Sequence, residues 1–503
     1  MPSQVRPFAL VASMFLSFSA TPLQAQEIPS AAIEARIEAY LADWGIPGLS
    51  LALVQGDSIL VRGFGVRRIG ESERIDGQTL FAIGSTTKAF TSAAAALLVG
   101  EGRLGWDDPV VAHLPGFTLY DPWMTREITL RDILAHRSGL PMANPMWQGG
   151  QLDADELLER LRHLKPMTGF RETFTYQNVL YLAAGRIIAE VAGTTWAEFV
   201  ERRLFSPLGM TRSRTGSRGL EGVANVASPH AVFEGEVIPV PYRYIEAVGP
   251  AGSILSTGAD MARWLRFQLG EGEIDGRRLV DAESLIETRR PQTVIRLEGP
   301  LELFYPGAHR LEYGMGWIVS DYRGLQVFDH AGGIDGMTSL VALVPEAELG
   351  IALLTNLQTP TPPYGLLYEL LDVLLGHEPI DRTIEFRDLA VAVEGMIATE
   401  PPRATGTRPT LPPDAYEGSY ASELLGIARV LLEDERLVFR LGSFIGPLEH
   451  WHHDTFRAEW TDRAWRSAAG AGWVTFRLGR DGTISDLEIA FTPGESWTFE
   501  RMP

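Results

Sequence analysis

The chain contains no cysteine, so no disulfide can staple it and its stability must come from packed cores. Lysine is nearly missing as well: of 44 Lys and Arg residues, only Lys88 and Lys165 are lysine. Positive charge is short overall, with 64 acidic residues and a formal net charge of −20. That argues against a nucleic-acid partner, which requires a basic footprint. A glycine-rich phosphate loop of the Walker type is also lacking. Beyond the first 25 residues no run is long and apolar enough to read as a transmembrane helix. Among the ten histidines the one cluster is His450-Trp451-His452-His453. With no cysteine or carboxylate pair beside it, the cluster reads as a strand and turn rather than a zinc site. No metal and no cofactor is implied.

What is present is ordinary globular material, 45% hydrophobic and 21% charged, in a 503-residue chain long enough for two or three domains. Arg6, the apolar run Phe8 to Phe18 and the small residues up to Ala25 read as a secretory signal peptide over residues 1–25. A bacterial periplasm or the exterior is then the expected compartment. Ala32 to Trp44 has helical spacing. Leu49 to Val54 and Ile59 to Phe64 flank Gln55-Gly56-Asp57-Ser58 as a hairpin. The middle of the chain is mainly helical, with helices expected at Leu130 to His136, Asp153 to Leu164, Val179 to Ala192, Trp196 to Leu204 and Gly258 to Leu269. Strands return at Tyr313 to Ser320, Leu325 to Asp329, Ser339 to Val344 and Leu349 to Leu354, followed by a helix from Leu366 to Leu375.

The fold class this predicts is α/β in the α+β sense: one antiparallel sheet flanked by helices, with a helical insertion. Residues 26–385 form that domain. Residues 386–413, with a proline-rich stretch from Glu400 to Pro413, read as a linker. Residues 414–503 carry seven short alternating strands, which predict a small antiparallel β-barrel or sandwich.

The chemistry centres on Phe81-Ala82-Ile83-Gly84-Ser85-Thr86-Thr87-Lys88, which leads into an alanine-rich helix. Residues three apart share a helix face, so the Ser85 hydroxyl and Lys88 amine can meet. A serine needs a base to become a nucleophile, and a desolvated neutral lysine can be that base. The same serine could equally cap the helix. Tyr176-Gln177-Asn178 offers a phenol and an amide two residues apart, which could also be a core aromatic and a helix cap. His330-Ala331-Gly332-Gly333 follows a strand, where glycine permits close backbone approach.

In this order and spacing the three elements resemble the serine β-lactamase and penicillin-binding protein superfamily, nearest its class C branch with related D-aminopeptidases, D,D-carboxypeptidases and esterases. Leu134 to Pro141 and Pro250 to Thr257 add to the likeness, which spans roughly residues 30–380. The resemblance implies a β-lactamase/transpeptidase-like fold with an appended, lipocalin-like barrel, and an acyl-enzyme on Ser85. It further implies that Lys88 and Tyr176 share the proton work, with a cationic Lys88 favouring the phenolate. Asn178, His330, Gly332 and Gly333 would serve substrate binding, with the Ser85 and Gly333 amides as oxyanion donors. The family's lactamases carry lysine-threonine-glycine where this chain has His330-Ala331-Gly332. The expected substrates are therefore D-amino acid peptides, amides or esters rather than antibiotics, with activity on carboxylate-bearing substrates rising toward pH 6. A penicillin- or peptidoglycan-binding sensor without turnover, or a true β-lactamase, is the alternative. Sequence sets no oligomeric state.

Overall fold

The computed structural model describes residues 28–503 apart from Pro360, Pro362 and Pro493. The signal peptide expected over residues 1–25 lies outside the described residues.

The N-terminal hairpin and the later strands do join into one sheet. Its strands are β1 (Gly48–Gln55), β2 (Ser58–Gly65), β3 (Thr293–Val294), β4 (Leu311–Tyr313), β5 (Ile318–Tyr322), β6 (Leu325–Ile334), β7 (Met337–Val344) and β8 (Leu349–Thr355). They lie in the order β2-β1-β8-β7-β6-β5-β4-β3, and Leu49 of β1 faces Thr355 of β8 across the antiparallel seam. β7 and β8 are buried along their whole length. Both their faces are covered, which is why Met337–Val344 and Leu349–Thr355 read as apolar runs rather than alternating ones.

Helices supply the two cover layers. α1 (Ser30–Trp44) buries Ile33 and Ile37 on one face and stops where Gly45 turns left-handed at φ 62°. It shares that layer with α5 (Tyr364–Leu374) and α6 (Thr383–Ile397). The opposite face carries α2 (Thr87–Gly100), α3 (Asn178–Ala192) and α4 (Gly258–Leu269). α2 is buried from Thr87 to Leu98. Its small Ala93–Ala96 run lets neighbouring helices approach closely, and Phe90 stacks on Trp264 of α4 at 3.7 Å.

Three expectations change. The strand expected over Tyr313 to Ser320 is two, β4 and β5, broken at Gly314 to Trp317. Gly316 has φ 84°, and a Cβ there would lie 2.8 Å from the Lys88 carbonyl oxygen, so the bend tucks tightly under α2. The strand expected to stop at Asp329 runs on to Ile334, which puts His330 inside it. Residues 386–397 of the expected linker are helical, because Phe386 and Ala390 give α6 an apolar edge to bury. Extended coil follows from Thr399.

The C-terminal strands close into a barrel of eight: β9 (Gly418–Ser422), β10 (Gly426–Glu433), β11 (Arg436–Leu441), β12 (Phe444–His452), β13 (Thr455–Ala458), β14 (Gly472–Leu478), β15 (Ile484–Ala490) and β16 (Trp497–Arg501). β12 is the strand that pattern reading misses. Gly446 and Pro447 interrupt its alternation, yet both pair with β11. Its end contains His450 and His452, so the histidine cluster is a strand and turn. No group of metal-ligating side chains occurs among the described residues, and none of their helices is long and apolar enough to cross a membrane.

Candidate active site

Ser85 sits in a single 3₁₀ turn, Gly84–Thr86, that leads straight into α2. That turn is clamped to the sheet from below. Ser339 of β7 donates its hydroxyl to the Ile83 carbonyl at 2.7 Å and meets the Thr86 hydroxyl at 2.8 Å. Gly84 has φ 49°, and a Cβ on it would lie 2.8 Å from the Gly333 nitrogen. Gly332 is fixed just as tightly, since a Cβ there would lie 2.0 Å from the Ile83 carbonyl oxygen. At Gly333 a Cβ would meet nothing within 4 Å, which leaves open space above the strand.

The topology explains that space. β5 pairs with β6 only as far as Asp329, while β7 accompanies β6 to Ile334. The His330–Ile334 half of β6 is therefore a local free edge inside an otherwise continuous sheet, and Ser85 faces it.

Lys88 is fully buried, one turn after Ser85. Its amine lies 2.8 Å from Asn178 Oδ1, 2.8 Å from the Ala251 carbonyl and 3.1 Å from Ser85 Oγ. Burial pushes its pKa well below the usual lysine value. The amide oxygen and the carbonyl can only accept, so a neutral amine gives each of them one N–H. Its lone pair is then left for the Ser85 hydroxyl.

Tyr176 completes the arrangement, its ring under the Lys88 amine and 4.3 Å from that of His136. Burial raises the phenol above its ordinary value, and the Ser85 hydroxyl only partly offsets this. The expected phenolate is thus corrected to a neutral phenol. The reason is geometric: the Lys88 amine lies over the Tyr176 ring, 4.7 Å from its centre, and is itself desolvated into the neutral form.

Asn178 opens α3 and is buried, its Nδ2 donating to Asn144 Oδ1 at 3.2 Å. Trp147 Nε1 donates to the same oxygen at 3.1 Å. Asn144 and the Ala251 carbonyl thus belong to the site although no role was read for either from sequence. His136 and Tyr313 likewise had no role read from sequence. His136, in left-handed backbone at φ 54°, accepts the Gln177 N–H on Nδ1 at 3.1 Å, midway between Tyr176 and Asn178. Its ring packs against Tyr176, Tyr181 and Tyr313.

His330 is only 4% exposed. Its Nδ1 is 2.6 Å from the Ala331 carbonyl, an acceptor, so Nδ1 carries the proton; Nε2 then accepts from the Tyr313 hydroxyl at 3.0 Å. Burial and the nearby Lys88 push its pKa down to about 3. The expected gain on carboxylate substrates toward pH 6 is therefore corrected: this ring does not titrate between pH 6 and 8, and both its nitrogens are occupied. The sequence stretches Ser85–Lys88, Tyr176–Asn178 and His330–Gly333, up to 248 residues apart in the chain, still converge on one site.

Comparison with known proteins bears on the family. The family described as "Beta-lactamase" matches residues 33–374, and "Domain of unknown function (DUF3471)" matches residues 402–502. The chain belongs to the beta-lactamase family, a family of serine hydrolases. It is 28% identical over 426 residues to an unguisins hydrolase of Aspergillus violaceofuscus, covering 78% of this chain and 74% of that one. It is 29% identical over 355 residues to penicillin-binding protein 4 of Amycolatopsis lactamdurans, covering 68% and 89%. Among solved structures, an octameric penicillin-binding protein homologue from Pyrococcus abyssi aligns with TM-score 0.64 at 22% identity, over 94% of this chain and all of that one (100%). A D-stereospecific amidohydrolase from Streptomyces aligns with TM-score 0.53 at 24% identity, over 65% and 94%. At these identities the structural likenesses establish the fold.

Proposed function

We propose that this protein is a secreted serine acyl hydrolase that works through an acyl-enzyme on Ser85, with peptides, amides or esters of D-amino acids as its substrates. One observation carries the reading: the buried Lys88 amine has two acceptor-only neighbours and one hydroxyl, which turns its lone pair toward Ser85. Lys88 takes the Ser85 proton as Oγ attacks the substrate carbonyl. The resulting oxyanion lies between the Ser85 and Gly333 amides, preorganised donors of the kind that contribute on the order of 3 kcal/mol each. Tyr176, a neutral phenol, passes a proton to the leaving group. Water then attacks the acyl-enzyme by the same route in reverse.

The substrate class rests on His330 of β6. A neutral, buried His330 supplies no cation for a substrate carboxylate, and the likeness to a D-stereospecific amidohydrolase is in keeping with that class. Similarity to a penicillin-binding protein supports a second reading, acylation without turnover. The test is incubation with an ester, a D-amino acid amide and a penicillin, followed by intact-mass measurement, for the unmodified chain and Ser85→Ala. Turnover with a transient adduct on Ser85 supports the hydrolase. A lasting adduct supports the binder, and labelling that survives Ser85→Ala refutes both.

A further inference from the structure

The chain places a second built feature beside the site, on the side where the barrel arrives. Arg243 lies in the segment between the helical insertion and α4, and its side chain is 11% exposed. Its Nε donates to Asp335 Oδ2 at 2.6 Å, and Asp335 is in the β6–β7 turn two residues past Gly333. Its Nη1 donates to the Gln148 carbonyl at 2.8 Å. Gln148 ends the short Pro145–Gln148 helix that starts next to Asn144. Its Nη2 reaches Asp462 of the barrel at 3.1 Å. The barrel touches the same place a second time, where the Ser443 N–H donates to the Gly149 carbonyl at 2.8 Å. A Cβ on Gly442 would lie 2.2 Å from that same carbonyl oxygen, so the β11–β12 turn is seated without slack.

We propose that Arg243 is a positioning residue that fixes the two walls of the Ser85 cleft, the Asn144–Gly149 segment and the Gly333–Asp335 strand end, relative to each other and to the barrel. This inference rests on the serine hydrolase reading above. One guanidinium can do this because its donors leave a rigid plane in three directions. A lysine ammonium is a point charge on a flexible stem and would keep one partner at the expense of the others. The two walls hold the groups that act on substrate: Asn178 is held by Asn144, and the Gly333 edge faces Ser85.

The experiment uses the full chain with Arg243→Lys, Asp335→Asn and Asp462→Asn. Amide hydrogen exchange is followed at residues 143–151 and 333–338. Ser85 is titrated with a fluorophosphonate, and turnover of a small ester is expressed per titrated site. Arg243→Lys is expected to raise exchange at both segments and to lower kcat per titrated site at least tenfold, with KM changed less than threefold. Asp462→Asn, which removes the charge of the barrel arm alone and so weakens it, is expected to raise exchange at 143–151 more than at 333–338. Unchanged exchange in Arg243→Lys would overturn the proposal, and so would a rate loss wholly explained by fewer titratable sites. Should that variant fail to fold, Asp335→Asn decides by the same readouts. If Ser85 in the unmodified chain does not label, the hydrolase reading fails, and the exchange pattern alone still judges Arg243.

Discussion

Whether Lys88 is neutral in the folded protein can be tested without any substrate, through the pH dependence of stability in wild type and Lys88→Met. The unfolded chain binds the lysine proton up to about pH 10.4. In the folded chain full burial, with no carboxylate among its three hydrogen-bond partners, holds the group well below that. Between the two pKa values the unfolded state carries one more proton than the folded state, so stability rises with pH across that window. Below the folded pKa both states are protonated and the slope vanishes. The slope contributed by one such proton is about 1.4 kcal/mol per pH unit. Across the pH range between the two pKa values, wild type should gain about 1.4 kcal/mol per pH unit over Lys88→Met, all other groups being common to both. The assay is urea unfolding of both proteins at pH 7, 8 and 9, read by tryptophan fluorescence, with the difference in unfolding free energy plotted against pH. Methionine fills the space of the lysine stem but leaves the Ala251 carbonyl and Asn178 amide short of a donor, which shifts the whole curve and not its slope. Parallel curves would mean Lys88 is charged in the folded state at these pH values. The general-base assignment would then fall.

Lys88→Arg should lose about 10²–10⁴ in acylation rate, nearly as much as Lys88→Ala, because a guanidinium cannot accept the Ser85 proton; stopped-flow acylation by a chromogenic ester measures it. Gly332→Ala should cost about 1–3 kcal/mol in urea unfolding, since its Cβ would meet the Ile83 backbone. Gly333→Ala should stay within about 0.5 kcal/mol of wild type while altering substrate KM, because its Cβ enters open space. The ratio of kcat/KM for a carboxylate-bearing substrate to that for a neutral ester should stay flat within about twofold from pH 6 to 8, because His330 is pushed down to about 3.

The proposed nucleophile and its proposed base were legible because their relation is local: a helical turn of three residues brings Ser85 and Lys88 together whatever the rest of the chain does. Tyr176 and Asn178 were legible for the same reason. The groups that set their protonation were not. Ala251 in the short Gly249–Gly252 helix, Asn144 at the cap of the Pro145–Gln148 helix and Tyr313 at the end of β4 matter only through tertiary packing. The phenolate expectation failed for that cause, because spacing places a lysine near a tyrosine but does not say that both will be buried. The third motif was found, yet its setting depends on where β5 stops pairing with β6, a fact about two strands that neither sequence carries. In the barrel, β12 escaped detection because Gly446 and Pro447 look like a loop until β11 is laid beside them.

These details together describe a site that holds its charge in reserve. Lys88 is desolvated, Tyr176 and His330 are neutral by burial, and the guanidinium of Arg243 is taken up by Asp335 and Asp462. In the proposed mechanism, charge separation arises only when the Ser85 proton moves and an oxyanion forms, in surroundings of low polarity where each oriented donor counts for more than it would in water. A permanent cation at position 330 would favour the ground state of anionic substrates as much as their transition state. Its absence leaves the oriented backbone edge of β6 to distinguish the two, which suits neutral acyl donors.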